Sequence, residues 1–190
     1  TRTARRHASR GRLRPMAPAG FQATLARVTL RSASSLDVAD VLREITRGLV
    51  QDLGAALARI WLLGPEEPDV LQLVASAGLS ERLDGSRSRV LVGTLKIGRI
   101  AETRAPLCTT DLESDDFADH AWIREHGLLG FAGYPLVYRD ELLGVLAIFA
   151  RTPLTEAELE PLSVFAAQAA VALKNAALFA EVEALLRRLE

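Results

Sequence analysis

Cysteine is nearly missing from this chain: Cys108 is the single one among 190 residues. A lone cysteine excludes a disulfide within the chain and a cysteine-rich zinc site. Proteins of the reducing cytoplasm rarely carry disulfides, and this composition fits that compartment. We therefore predict a cytoplasmic protein whose fold depends on packing rather than on covalent cross-links.

Long hydrophobic runs are also missing. No stretch free of charged residues approaches the roughly 20 residues that a helix needs to cross a bilayer. The N-terminal residues are positively charged, but no apolar segment follows them as it does in a signal peptide. We therefore expect neither a transmembrane segment nor a signal peptide.

Acidic residues are absent from residues 1–14, although the formal net charge of the whole chain is −1. This segment holds six arginines: Arg2, Arg5, Arg6, Arg10, Arg12 and Arg14. It shows no apolar period, so we predict that residues 1–20 form an Arg-rich flexible tail. Such a tail could contact the phosphates of nucleic acid or of a membrane. An unfolded leader is the favoured interpretation, and nucleic acid is not an expected partner.

The last third of the chain carries a hairpin pattern. Two apolar segments, residues 130–138 and 142–150, flank the charged tight turn Arg139-Asp140-Glu141 and predict paired antiparallel strands. A capping box of Thr155 and Glu158 then predicts the start of a helix.

That helix has apolar residues at alternating spacings of three and four, a period that favours packing against another helix. They are Leu162, Phe165, Ala169, Ala172, Ala176 and Phe179, and the stripe continues to Leu189. We predict a homodimer formed through the N- and C-terminal helices. A helix still periodic at the last residue is typical of a stalk that leads to an output domain.

The rest of the chain alternates between helical and extended patterns. Helical spacing is found over residues 21–53, broken near residues 32–36, and over 94–102 and 117–125. Short apolar strands are predicted at residues 59–63, 70–75, 89–92 and 106–109. Strands joined by hairpins indicate an α+β fold with an antiparallel sheet.

Four segments, in this order, resemble the GAF domain family, relatives of the PAS fold. They are AALARIWLL at residues 55–63, LKIGRIAETRAPL at 95–107, GYPL at 133–136 with GVL at 144–146, and AAQAAVALKNA at 166–176. The resemblance covers residues 36–190 and implies an antiparallel sheet of about six strands. It also implies that the first and last helices pack on one face of the sheet and that a ligand pocket lies under loops on the other.

GAF domains act as sensory modules in bacterial sensor histidine kinases and cyclases. The resemblance therefore implies a non-enzymatic GAF core at residues 21–154, which binds an unknown small-molecule effector. A signalling helix at 155–190 would lead to a missing output domain, a histidine kinase or similar module of a two-component system. Two alternatives stay open: a degenerate GAF domain that acts only in dimerisation or spacing, and a haem-binding or redox-sensing GAF domain.

Pocket walls in such domains are apolar with a few polar groups. On that basis we predict a ligand-binding set made of Trp61, Cys108, Asp111, Phe117, His120, Trp122, Phe131 and Tyr134. The acidic run from Asp111 to Asp119 is interpreted as a solvated lid over the pocket.

Other chemistry is poorly matched. The Gly-x-x-x-x-Gly run from Gly93 to Gly98 is followed by Arg99 and Ile100, where a phosphate-binding loop needs Lys and Ser or Thr. These glycines are expected to serve a turn and a close helix–sheet contact. His120 and His126 are six residues apart, which does not suit two metal ligands on one helix face. No metal site is predicted, and the cofactor is left unknown, with haem near His120 as a minor alternative.

Overall fold

Helices and strands follow one another in the order predicted from the sequence. The computed structural model describes residues 22–23, 26–27, 30, 37–115, 119–154 and 156–189. The helices whose bounds lie within the described residues are α1 (Val38–Gln51), α2 (Leu95–Thr103), α3 (His120–His126) and α4 (Glu156–Arg187). The strands are β1 (Leu57–Leu63), β2 (Val70–Gly78), β3 (Arg89–Leu91), β4 (Leu107–Thr109), β5 (Gly130–Tyr138) and β6 (Glu141–Ala150).

The six strands form one sheet in the order β3-β2-β1-β6-β5-β4, and every neighbouring pair is antiparallel. The first and last hairpins meet at its centre, where β1 pairs with β6. The predicted tight turn joins β5 to β6 and places Arg139 at a φ of 53°. The α+β class with an antiparallel sheet is confirmed.

Local chemistry explains the bounds of α1. The side chain of Asp37 accepts a hydrogen bond from the amide of Ala39 at 2.9 Å and caps the first turn. The helix presents one apolar stripe to the sheet, formed by Val41, Leu42, Ile45 and Leu49, and all four side chains are buried. Burial of each is worth about 1.5–3 kcal/mol, so α1 is held mainly by its packing.

Two apolar clusters lie on opposite faces of the sheet. On one face, α1 and α4 cover side chains such as Ile60, Tyr134 and Ile148. On the other, α2 and the segment around α3 cover side chains such as Trp61 and Phe131. Successive residues of a strand point to opposite faces, so β1, β5 and β6 contribute to both clusters.

The apolar stripe of α4 packs differently from what its residue spacing suggested. Its members Leu162, Phe165, Ala169, Ala172 and Ala176 are buried in their own chain, with exposures between 1% and 7%. They pack in the same cluster as α1 and the sheet. These five side chains are covered by the sheet and α1 of their own chain, which produce the same spacing, so they do not face a second chain. Phe179, the next member of the predicted stripe, is 47% exposed. Thr155, and with it the predicted capping box, lies outside the described residues.

In the part of the chain that the structure describes, one helix segment passes a test of length and composition for a membrane span. This segment, Leu162–Arg187, has a mean hydropathy of 1.5, and 44% of the window that passes is buried in the fold. Part of the segment is apolar because it packs in the core of the domain. Its composition is therefore weak evidence for a membrane span.

Candidate ligand cavity

A cavity of about 280 Å³ lies on the face of the sheet opposite α1 and α4. Its floor is formed by β1, β5 and β6, and its sides by α2, α3 and the loop before β3. The lining residues are Leu57, Arg59, Trp61, Asp84, Gly85, Ser86, Arg87, Val90, Leu95, Lys96, Ile97, Leu112, Asp119, Trp122, Ile123, Phe131 and Phe149. The volume is close to the lower end of the ~300–1,000 Å³ typical of small-molecule sites.

Aromatic rings form much of the floor. Phe131 and Phe149 make an edge-on contact with ring centroids 5.2 Å apart, and Trp122 meets Phe149 edge-on at 5.9 Å. Such edge-to-face pairs are favourable because the positive edge of one ring meets the negative face of the other. The aromatic rings of the floor therefore hold one another in place, as expected of a binding surface that is formed before the ligand arrives.

Trp61 connects the floor to the loop above it. Its indole Nε1–H donates a hydrogen bond to the backbone carbonyl of Arg87 at 2.9 Å. The polar atom of the buried ring is thereby satisfied. The bond also holds Arg87 and its neighbours Gly85 and Ser86 at the rim of the cavity.

Arg59 is a cation in the floor. It lies in the middle of β1, and its Nε donates a hydrogen bond to Ser76 Oγ on β2 at 3.1 Å. Burial lowers the pKa of the Arg59 guanidinium from its ordinary value. Within the described residues, no carboxylate forms an ion pair with it.

Lys96 brings a second cation from the first turn of α2. Its ammonium pairs with Asp115, and both side chains are largely buried. The same nitrogen lies 5.9 Å from the centroid of the Phe131 ring. Burial lowers the pKa of Lys96, and the nearby Arg99 adds to this effect.

The two glycines before and within α2 set its distance from the sheet. Gly93 has a φ of +86°, and its amide bonds to the carbonyl of Gly98 at 2.8 Å. A Cβ on Gly98 would lie 2.1 Å from the carbonyl oxygen of Leu91. The expected roles of these glycines, a turn and a close contact, are confirmed.

A family model described as GAF domain matches residues 35–174. The chain belongs to the GAF domain family. Its homology extends to the GAF region of Nif-specific regulatory proteins, and this places the domain among those of signalling proteins.

Two of these relatives show how much of a longer protein the GAF domain represents. A Nif-specific regulatory protein of Herbaspirillum seropedicae is 31% identical over 121 residues, covering 61% of this chain and 22% of the relative. One of Azospirillum lipoferum is 31% identical over 129 residues, covering 66% of this chain and 20% of the relative. The chain thus spans about a fifth of the length of the curated relatives it matches.

Solved structures share the fold. The GAF domain of a phosphoenolpyruvate-protein phosphotransferase from Coxiella burnetii superposes with a TM-score of 0.69 at 22% identity, over 84% of this chain and 96% of that one. Residues 122 to 287 of a methyl-accepting chemotaxis protein give 0.65 at 24% identity, over 80% and 97%. Free methionine-R-sulfoxide reductase from Neisseria meningitidis gives 0.69 at 14%, over 85% and 94%. At these identities the likeness concerns the fold alone.

In this GAF domain the cavity brings together Trp61, Trp122 and Phe131 from the predicted binding set. Phe117 lies outside the described residues. His120 is the first residue of α3 and is not among the lining residues.

Cys108 and Tyr134 are placed on the opposite face, which corrects their assignment to the cavity. Cys108 on β4 pairs with Ala132, and Ala132 and Tyr134 belong to the cluster covered by α1 and α4. The Tyr134 hydroxyl donates to the backbone carbonyl of Leu159 in α4 at 2.8 Å. Strand parity explains the error, since Phe131 faces the cavity and Tyr134 is an odd number of residues away.

Three of the described acidic residues of the predicted lid are engaged in contacts of their own. Asp111 is exposed, and its carboxylate accepts hydrogen bonds from the amides of Glu113 and Ser114 at 3.2 and 3.4 Å. It is therefore occupied by its own turn rather than by the cavity. Asp119 caps α3 by accepting from the amide of Trp122 at 3.2 Å, which helps to position that ring.

Sequence reasoning missed the charged residues of the cavity, above all Arg59 and Lys96. A signal was present for Arg59, since it is the single charge in β1. A lone cation in a strand buried on both faces needs a polar environment, and here that environment is the cavity.

The described residues offer little for metal, haem or covalent chemistry. They contain no group of three or more His, Cys, Asp or Glu side chains that could hold a metal ion. None of the described residues that line the cavity is His, Cys, Met or Tyr, so this lining does not fit haem, whose iron takes one of these as its axial ligand. Partial burial raises the pKa of the Cys108 thiol, which disfavours the reactive thiolate.

Proposed function

We propose that this chain is the sensory GAF domain of a bacterial regulatory protein. A small-molecule effector occupies the cavity, and its binding alters the activity of an output domain connected through α4. The observation that carries this proposal is the cavity itself, which has an aromatic floor, cationic groups and a rim held by specific hydrogen bonds. The domain has no catalytic role of its own and acts in the cytoplasm.

The strands below the cavity provide the route to α4. Phe131 on β5 and Phe149 on β6 line the cavity, while their neighbours Ala132 and Ile148 pack in the cluster that contains α4. A ligand that displaces these strands would therefore also move the side chains that pack against α4 on the opposite face of the sheet. The size of the response is limited by the difference in ligand affinity between the two states.

Two polar contacts tie the same hairpin to α4. Tyr134 on β5 bonds to the carbonyl of Leu159, and Lys174 pairs with Glu141 at 2.7 Å. The first contact lies near the start of α4 and the second about four turns later. A tilt or rotation of the β5–β6 hairpin would move α4 as a unit.

A second stripe on α4, different from the buried one, supports a dimer. Its side chains are apolar, exposed and seven residues apart: Val164, Val171, Leu178 and Leu185. Val182 and Leu189 occupy the alternating positions at its C-terminal end and are also exposed. This is the heptad pattern of a coiled coil, so we propose that two copies of the chain pair through this stripe. The partner contact and the core contact then lie on different faces of one helix.

The output domain is inferred from the relatives. Both are Nif-specific regulatory proteins about five times as long as the matched region, so we propose a regulatory output module. A histidine kinase is the alternative suggested by the resemblance to sensor kinases. The Arg-rich residues 1–20 lie outside the described residues and have no part in this proposal.

The test is a thermal-shift screen of small metabolites on the purified 190-residue chain. Ser86→Trp would place a large side chain at the cavity rim. Ser114→Trp is the matched control, because Ser114 is exposed and does not line the cavity. A ligand at ~100 times its Kd stabilises by about 2.7 kcal/mol, which corresponds to roughly 5–10 °C in Tm for a domain of this size.

We expect at least one metabolite to raise the Tm of the wild type and of Ser114→Trp but not that of Ser86→Trp. Native mass spectrometry of the protein as purified would report any ligand retained from the cell. A screen without any stabilising compound, on a chain that still forms dimers, would instead favour the degenerate GAF domain that serves only as a dimerisation or spacing module.

A further inference from the structure

We infer that the effector is a small monocarboxylate whose carboxylate is bound by Arg59 and whose flat apolar body rests on the aromatic floor. This inference rests on the proposed function, because it names the chemistry of the ligand that the cavity takes. It is carried by the position of one unpaired cation, by the charges around it and by the shape of the floor.

Arg59 lies where a charge is costly unless something compensates for it. It occupies the middle of β1, between Ser76 on β2 and Ala147 on β6, with the buried side chains of Leu57 and Trp61 on the same face. Its one hydrogen bond in the described structure goes from Nε to Ser76 Oγ. The terminal nitrogens of the guanidinium carry four N–H groups, and the pair on one edge matches the two oxygens of a carboxylate.

Three of the other charged residues that line the cavity are already engaged, and Arg87 at the rim is the exception, since its guanidinium has no carboxylate partner among the described residues. Lys96 pairs with Asp115, and Asp119 caps α3. Asp84 accepts two hydrogen bonds from Arg82, both at 2.8 Å. Arg59 is thus the floor cation that lacks a carboxylate partner among the described residues.

The balance of charge favours one negative charge over two. Three of the lining residues are cationic, Arg59, Arg87 and Lys96, and two are acidic, Asp84 and Asp119. A monoanion compensates for the difference, whereas a phosphate monoester would bring nearly two negative charges toward two carboxylates.

The shape of the cavity restricts the rest of the molecule. The rings of Trp122 and Phe149 are partly exposed at the cavity, whereas those of Trp61 and Phe131 lie beneath its surface and are almost fully buried. The volume of about 280 Å³ leaves room for a compact ligand. An aromatic ring or a short branched chain attached to the carboxylate would bury its apolar area against these rings.

Isothermal titration with matched probes tests this assignment. The carboxylates are benzoate and phenylacetate, the neutral partners are benzamide and phenylacetamide, and phenyl phosphate and benzylamine represent a dianion and a cation. The proteins are the wild type, Arg59→Gln, Arg59→Lys, and the control Arg89→Gln. Arg89 is an exposed arginine of β3 that pairs with Glu67 and does not line the cavity.

We expect a carboxylate to bind the wild type at least tenfold more tightly than its amide. Arg59→Gln should abolish this preference, Arg59→Lys should keep part of it, and Arg89→Gln should leave it unchanged. If Arg59→Gln fails to fold, the carboxylate-to-amide ratio on the wild type still decides the question.

Some results would contradict the carboxylate assignment without contradicting the proposed sensory function. Equal affinity for acid and amide, or tighter binding of phenyl phosphate or benzylamine, would overturn the carboxylate assignment and leave a ligand-binding GAF domain in place. The carboxylate assignment alone would also be overturned if other metabolites bind in the thermal-shift screen but no carboxylate binds. A complete lack of ligands of any charge in both experiments would overturn the proposed function as well.

Discussion

The hydroxyl of Tyr134 on β5 donates a hydrogen bond to the backbone carbonyl of Leu159 on α4 at 2.8 Å. The strand that carries Tyr134 also carries Phe131 in the cavity floor, and Leu159 lies in the first turns of the helix. This bond is therefore a direct polar link between the strand under the cavity and the helix proposed to transmit the signal.

Removing that hydroxyl should loosen the link without disturbing the fold. We predict that Tyr134→Phe lowers the free energy of unfolding by about 1 kcal/mol, the usual net worth of such a hydrogen bond. Urea denaturation at pH 7 measures the change. Tyr138→Phe is the control, since Tyr138 lies on the same strand and no hydrogen bond of its hydroxyl is seen in the described structure. Equal effects of the two substitutions would contradict a specific role for the Tyr134 bond.

The same residue predicts a pH dependence. Burial raises the pKa of Tyr134 well above its ordinary value of 10.0. Above pH 10 the unfolded chain releases this proton while the native state keeps it, so the stability due to Tyr134 falls as pH rises. We predict that the stability advantage of the wild type over Tyr134→Phe shrinks between pH 9 and 11 in urea titrations. A constant difference across this range would contradict the raised pKa.

Sequence reasoning located the β5–β6 hairpin well because its signals were local. The charged turn at Arg139 and Asp140 separates two strands, and no other pairing suits so short a connection. The bounds of β5 match the prediction, and β6 begins at Glu141, one residue earlier than predicted.

The face of each side chain was harder to predict. β5 is apolar throughout because both faces of the sheet are covered, so no alternation of polar and apolar residues showed which side Tyr134 takes. Only the pairing register of the folded sheet resolves this question. The same difficulty applies to Cys108, whose strand has three residues.

The helix α4 raised a related problem. It is rich in alanine and apolar residues around most of its circumference, so two stripes satisfy a helical period. The packing of the sheet decided which stripe became core, and residue spacing alone did not contain that information. By contrast, Arg59 carried a signal in the sequence, as a single charge in an apolar strand.

The close approach of α2 to the sheet gives a prediction about Gly98. In Gly98→Ala the new Cβ would lie 2.1 Å from the carbonyl oxygen of Leu91, a backbone atom that cannot move by itself. Overpacking costs about 1–3 kcal/mol, and so short a contact with a backbone atom belongs in the upper part of that range, above the gain of about 1 kcal/mol from replacing glycine in a helix. Thermal unfolding should show a lower Tm. Gly64→Ala, with nothing within 4 Å, should change stability by less than about 0.5 kcal/mol. An unchanged Tm for Gly98→Ala would show that α2 can shift away from the sheet.

The two stripes of α4 predict opposite results for the same kind of substitution. Val171 and Leu178 are 40% and 45% exposed, so Val171→Glu with Leu178→Glu should give a folded monomer, because it places like charges in the proposed dimer seam. Ala169 is 1% exposed, so Ala169→Glu should unfold the domain, since it buries an unpaired carboxylate in the core. Light scattering after size exclusion reports the dimer, and circular dichroism reports the fold. Dimers that persist in the double variant would place the contact between copies on another surface.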